Sequence, residues 1–138
     1  LEELLEDIAS KTASEKVAIE IICNKHIHLE LRPTGFRRCI SNLINNSATY
    51  GSHIKVQVIA SKNGVTFHID DDGPGIPEKA RNKVFRPFTR LESERPPDIG
   101  GTGLGLTIAR DIVLSHGGSI DISDSPMGGA RVRIKLPV

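Results

Sequence analysis

The sequence predicts an α+β fold, a two-layer α/β sandwich whose mixed sheet is covered by helices on one face. Three observations lead there. Nearly every strand-like stretch alternates apolar with polar residues, which gives each strand one dry and one wet face. These stretches mostly arrive as hairpins and not as a strict strand–helix–strand series. The longest helical stretch carries its apolar residues on a single stripe, so it has one face to bury. At 138 residues, with 38% hydrophobic and 25% charged side chains, residues 1–138 amount to one domain. A chain of this size needs no disulfide or zinc staple to hold a core.

Each element has its own justification. Leu1, Leu4, Leu5 and Ile8 stand at helical spacing in an acidic N-terminal segment, which predicts a short helix. A polar run from Ser10 to Glu15 leads to alternating Val17, Ile19, Ile21 and Cys23, and Leu29 and Leu31 follow as a second short strand. Pro33 opens a helix to about Tyr50, with Phe36, Cys39, Ile40, Leu43, Ile44 and Ser47 on its stripe and Gly51 just past its end. Ile54, Val56, Val58 and Ala60 alternate, then Val65, Phe67 and Ile69, with a Lys62-Asn63-Gly64 turn between them. A short helical piece is expected near residues 78–84 and a longer helix from about Leu104 to His116, stopped by Gly117-Gly118. The last 20 residues read as a hairpin with Ala130, Val132, Ile134 and Leu136 inward, and Arg131, Arg133 and Lys135 outward.

Composition excludes several classes of function. A net charge of +1 does not suit an electrostatically driven nucleic-acid binder. The aromatics are few (Phe36, Tyr50, Phe67, Phe85 and Phe88), too few for a base-stacking platform. Cys23 and Cys39 sit at apolar-face positions and read as buried thiols in a reducing compartment. No stretch approaches the roughly 20 apolar residues of a membrane span, and no signal sequence is visible. The only methionine is Met127, so the chain reads as a piece of something longer.

Three constellations carry chemistry. The first is Gly100-Gly101-Thr102-Gly103-Leu104-Gly105-Leu106, a glycine run entering a helix, where free backbone N–H groups favour an anion such as phosphate. It is not a dinucleotide fingerprint, and Leu106 stands where a P-loop needs Lys. Val17-Ala18-Ile19-Glu20 likewise has Glu where the protein-kinase strand needs Lys. The second is Asp70-Asp71-Asp72-Gly73-Pro74-Gly75. Asp71 shares strand parity with Val65, Phe67 and Ile69, so its carboxylate faces the core and wants a donor to offset its desolvation. Asp70 and Asp72 are expected to face away. The spacing lacks the glutamate of a calcium loop. In the third, Asn42, Asn46 and Tyr50 form an i, i+4, i+8 ridge beside the apolar stripe, with Asn45 in solvent. A carboxamide oxygen there suits a hard cation. Residues 86–101, rich in Pro and Gly and too long for an ordinary connection, read as a functional lid.

Taken together, Asn42-Leu-Ile-Asn-Asn46-Ser-Ala-Thr-Tyr50, Asp71-Asp-Gly73-Pro-Gly75, Phe85-Arg-Pro-Phe88 and Gly101-Thr-Gly103-Leu-Gly105-Leu resemble the N, G1, F and G2 boxes of the catalytic ATP-binding domain of bacterial sensor histidine kinases, in order and spacing. The resemblance covers essentially the whole chain and implies a Bergerat-type sandwich. It implies that Asp71 accepts the adenine amino group, with Gly73 and Gly75 passing beside the base and Tyr50 packing along it. Asn46 would ligate Mg²⁺. Arg90 would reach the γ-phosphate. Gly101, Thr102, Gly103, Leu104, Gly105 and Leu106 would close a lid, residues 86–102, onto the phosphates of ATP. Asn42 stands where ATP-hydrolysing cousins carry a Glu base, and an amide takes no proton at neutral pH. That favours transfer over hydrolysis. Thr49 stands where many relatives place Lys or Arg.

The phosphoacceptor of such kinases is a His on a separate dimerisation domain. His28-Leu-Glu-Leu-Arg-Pro-Thr34 is superficially similar to that motif, but His28 lies on an alternating strand and Pro and Thr are inverted. The other histidines lack the context, and none pairs with a Cys or a second His at metal spacing. The implied partners are the dimerisation domain and a response regulator, in the cytoplasm, with the parent protein anchored in the inner membrane. The competing class is a nucleotide-binding module without phosphotransfer.

Overall fold

The structure, a computed structural model, describes residues 2–12, 18–23, 33–62, 64–76, 79, 81 and 105–137. Among these the elements run α1 (Glu2–Thr12), β1 (Ala18–Ile22), α2 (Pro33–Tyr50), β2 (His53–Ser61), β3 (Gly64–Asp71), α3 (Gly105–Ser115), β4 (Ser119–Asp124) and β5 (Ala130–Pro137). The strands form one mixed sheet in the order β1-β2-β3-β5-β4. β1 pairs in parallel with β2, and α2 makes the crossover that a parallel pair requires. The remaining pairings are antiparallel. The expected fold class is therefore the observed one.

Helix α2 lies over β2 and β3, α1 over β1 and α3 over β4. The core sits between these helices and one face of the sheet. Phe36, Cys39, Ile40, Leu43, Ile44 and Ser47 of α2 are all buried, as their stripe requires. They meet Ile54, Val56, Phe67, Ile69, Val132 and Ile134 from the sheet. Each large aliphatic or aromatic side chain removed from water contributes about 1.5–3 kcal/mol. Phe36 and Phe67 join the two layers as a tilted ring pair, centroids 5.4 Å apart. Helix α3 closes as the Gly-Gly pair predicts: the N–H groups of Gly117 and Gly118 donate to Leu114 and Val113.

Four local expectations need correction. α1 continues to Thr12, past the predicted polar break at Ser10. Ser10 donates to the Asp7 carbonyl within the helix, and Asp7 pairs with Arg37 of α2. Ala60 is exposed because the inward alternation of β2 ends at Val58. Cys39 is fully buried, and burial pushes its thiol up to about 12. Cys23, just beyond β1 at the edge of the described sheet, is only half-buried, and neither thiol is in a disulfide among the described residues. Finally, Asp70 does face away from the core, yet it is buried beneath Arg131. The strand expected at Leu29 and Leu31 and the segment 86–101 lie outside the described residues, as does most of 78–84.

Candidate functional site

The end of β3 delivers three consecutive carboxylates into three environments. Asp70 points to the open face, where the Arg131 guanidinium of β5 donates to it from Nε (2.8 Å) and Nη2 (3.2 Å). Asp71 points inward, 5% exposed. Its Oδ1 accepts the backbone N–H groups of Gly73 (2.9 Å) and Ala130 (3.2 Å). Among the described residues, Oδ2 accepts no hydrogen bond and no cation pairs with the group. Burial raises the Asp71 carboxyl above its ordinary range, the two N–H bonds offset part of that, and the neighbouring carboxylates add to it. A desolvated carboxylate whose second oxygen has no described donor can take one from a ligand.

Asp72 turns outward again. Its Oδ1 accepts the backbone N–H groups of Ser52 (2.8 Å) and His53 (3.0 Å). Its Oδ2 meets Ser52 Oγ (3.1 Å) and His53 Nδ1 (2.9 Å). These bonds, the His53 N–H first, hold its carboxyl far below the usual carboxylate range.

Past Asp72, Gly73 and Gly75 carry the chain round beside Asp71. Gly75 has φ +79°, which a side chain would strain, and it lies against the Gly129 carbonyl. The β4–β5 turn forms the floor. Gly129 N–H donates to the Asp71 carbonyl (3.2 Å). A Cβ on Gly129 would fall 2.6 Å from that carbonyl oxygen and 2.7 Å from Gly73 N, and would also overlap Asp71 Oδ1. Arg81 braces the loop, donating to the Ile76 carbonyl (3.0 Å) and to Asp124 (2.6 Å). The sequence alone does not assign Gly51, Ser52, His53, Gly129, Ala130 or Arg81 to the site. The Gly128-Gly129 pair was the one available signal, and it reads equally well as an ordinary turn.

Helix α2 forms the opposite wall. Its C-terminal end abuts the aspartates, for a Cβ on Gly51 would lie 3.1 Å from Asp71 Cβ. Helix α3 packs antiparallel to α2. Gly35 faces Ile112, the Phe36 and His116 rings are 6.3 Å apart, and Cys39 Sγ meets the Ala109 carbonyl at 3.5 Å. That direction turns the first residues of α3, Gly105 and buried Leu106, toward the C-terminal half of α2, which carries Asn42 and Asn46. Both asparagines are half-buried on the flank of the stripe, and Asn45 is exposed. From Asn42 to Gly51 is nine residues, about 13 Å of helix. The structure thus brings Asp71, Gly73 and Gly75 together with Gly129 and the C-terminal end of α2, the helix that carries Asn42 and Asn46 and on which α3 packs. The Tyr50 side chain, Arg90, Gly101, Thr102, Gly103 and Leu104 lie outside the described residues.

This arrangement suits an elongated ligand with a hydrogen-bond donor at one end and anionic charge at the other. Asp71 would meet the donor. The amides at the start of α3, with the helix dipole behind them, would meet the anion. Among the described residues no three His, Cys, Asp or Glu side chains gather to hold a metal, and no helix is long and apolar enough to cross a membrane.

Comparison with known proteins bears on the same residues. The family model described as histidine kinase-, DNA gyrase B- and HSP90-like ATPase matches residues 31–138. The sensor histidine kinase CpxA of Escherichia coli K12 is 40% identical over 108 residues, 77% of this chain and 23% of CpxA. The sensor protein RstB of the same strain is 36% identical over 135 residues, 97% of this chain and 31% of RstB. The chain therefore spans less than a third of either relative. The crystal structure of the ATP binding domain of PrrB from Mycobacterium tuberculosis superposes with a TM-score of 0.81 at 28% identity, covering 98% of this chain and 91% of that one.

Proposed function

The chain belongs to the family of histidine kinase-, DNA gyrase B- and HSP90-like ATPases, and from that premise we propose that it is the ATP-binding catalytic domain of a sensor histidine kinase. In this reading it delivers the γ-phosphate of ATP to a histidine on a separate dimerisation domain, for onward passage to a response regulator. The observation that carries the reading is Asp71, buried, unpaired with any described cation and with Oδ2 left for a ligand donor. The adenine 6-amino group supplies such a donor. Gly73 and Gly75 let the backbone pass close to the base, and Tyr50 packs along it.

The phosphates then lie toward the start of α3. Gly101, Thr102, Gly103, Leu104, Gly105 and Leu106 cradle them, and Arg90 offsets charge on the γ-phosphate. Residues 86–102 close over the ligand. The donor set fits Mg²⁺: the oxygen of a half-buried carboxamide suits a hard ion that keeps water and phosphate ligands. Asn46 would hold it, and when bound it neutralises phosphate charge. Asn42 cannot serve as a base for water, so the reaction that the site supports is transfer: the bond from the γ-phosphorus to the ADP oxygen breaks, and a bond to the acceptor imidazole nitrogen forms. The parent protein would work at the inner membrane with this domain in the cytoplasm.

The test mixes the protein with γ-labelled ATP, Mg²⁺ and the parent's dimerisation domain. Acid-labile label on that domain, with negligible phosphate release in its absence, is the expected result. Nucleotide binding without labelling would favour a binding module. Rapid hydrolysis by the protein alone would contradict the transfer reading.

A further inference from the structure

We propose that Asp72 is a positioning residue for the nucleotide site: through Ser52 and His53 it fastens the C-terminal end of α2 to the end of β3, and so sets the gap that a ligand spans to reach Asp71. The inference rests on the nucleotide reading above and deepens it.

The geometry singles out this carboxylate. The antiparallel ladder between β2 and β3 ends at the pair Ile54–Asp71. One step further, the Asp72 side chain replaces the backbone as the partner of β2. Both of its oxygens are used, each twice, and all four contacts go to Ser52 and His53. Those two residues follow the last turn of α2 directly, and the Gly51 N–H still belongs to that turn, donating to the Ser47 carbonyl (2.8 Å). The Ser52 carbonyl in turn accepts the Ala18 N–H at the start of β1 (2.8 Å). A single side chain thus ties together the helix that forms one wall of the site, the strand that presents Asp71, and the edge strand.

The bonds are charge-assisted, which makes them about twice as strong as neutral ones. Gly51 leaves no slack, since its Cβ position is 2.8 Å from Asp72 Oδ1. Recognition by a buried carboxylate demands placement within about 0.5 Å. Loss of the tie would let the α2 end and Asp71 move apart without unfolding the core, whose buried residues lie on the other face of α2 and along the inward face of the sheet. Asp72 itself, 27% exposed at its side chain and turned outward, touches no ligand in this scheme.

Titration calorimetry with Mg²⁺ and a non-hydrolysable ATP analogue, and separately with ADP, decides the matter well below the melting temperature. Asp72→Ala is expected to weaken both ligands about tenfold or more, by the same factor, because the adenine end is disturbed and the phosphate end is not. Asp72→Asn keeps an acceptor for the two backbone N–H groups, and its amide can donate to Ser52 Oγ and neutral His53, so it should restore affinity to within about threefold. Unchanged affinity in Asp72→Ala would overturn the proposal, and so would equal losses in the Ala and Asn variants, which would point to charge in place of position. If Asp72→Ala does not fold, Ser52→Ala/His53→Ala, which spares the backbone bonds, must still weaken binding about threefold. Unchanged affinity there would overturn the proposal as well. A wild-type protein that binds neither nucleotide would overturn the underlying nucleotide reading, a result distinct from wild-type binding that Asp72→Ala leaves intact.

Discussion

Pleating of β3 sends Asp70 to the open face and Asp71 to the core, and the chain's exit from the sheet turns Asp72 toward α2. The environments of Asp71 and Asp72 give opposite responses to pH. The Asp72 carboxyl is held below its ordinary value, so its contribution to stability is full above the unfolded carboxylate pKa of about 3.9 and is lost as pH falls through the folded value. The Asp71 carboxyl is raised by burial, so its sign is reversed: ionised Asp71 is a burden on the free protein at neutral pH, and the burden lifts as pH falls below the folded value toward 3.9. The Asp71→Asn variant should therefore melt higher than wild type at pH 7 in the absence of nucleotide, and the difference should vanish near pH 3. A variant that melts lower at pH 7 would show that the carboxylate is satisfied within the protein. Asp70→Asn should do the reverse. It weakens a charge-assisted pair around a buried group, a loss of about 1–3 kcal/mol and several degrees in melting temperature, with nucleotide affinity kept in the folded protein. Denaturant titration alongside calorimetry checks both halves. Strand parity made Asp71 legible from the sequence. The burial of Asp70 was not, because parity gives direction alone, and the guanidinium that covers it arrives from a strand 61 residues away in sequence.

The elements were legible where periodicity is strong. α2 runs from Pro33 to Tyr50 as its stripe and its flanking Gly51 predict, and both hairpins pair about their predicted turns. Less was legible where a turn serves a distant partner. The turn between β4 and β5 is held by its own bonds, with the buried Ser125 hydroxyl accepting the Met127 N–H. Its glycine nonetheless answers to Asp71, and no local pattern encodes that. The difference is testable within one class of substitution. Gly129→Ala forces a methyl into the Asp71 carboxylate and the Gly73 amide, so it should destabilise the protein by about 1–3 kcal/mol and weaken nucleotide binding together with it. Among the described residues Gly35→Ala meets only Ile112 Cγ2, at 4.0 Å, inside a helix where Ala is favoured by about 0.5–1 kcal/mol. It should raise the melting temperature and leave binding unchanged. Thermal melts and titrations of the pair settle the matter, and a Gly129→Ala protein that binds normally would remove the turn from the site.

At the scale of the whole molecule, helices on one face of the sheet leave the candidate groups at one end of the sandwich. There the C-terminal end of α2, the end of β3 and the β4–β5 turn converge, with the start of α3 farther along the α2 wall. This placement follows from connectivity. The β1–α2–β2 crossover fixes α2 over the sheet, and the antiparallel packing of α3 on α2 turns the N-terminus of α3 toward the C-terminal half of α2. The fold class was readable from alternation alone, but the convergence needed the strand order, in which β5 lies between β3 and β4. The central claim of the proposed function is that Asp71 holds the nucleotide through Oδ2, which accepts no hydrogen bond among the described residues. Calorimetric titration with Mg²⁺ and a non-hydrolysable ATP analogue, run on wild type, Asp71→Asn and Asp70→Asn, tests it most directly. Loss of a hydrogen bond between a buried charged group and its ligand donor predicts a weakening of about 10–150-fold for Asp71→Asn, with Asp70→Asn close to wild type. Equal losses in the two variants, or none in Asp71→Asn, would contradict it.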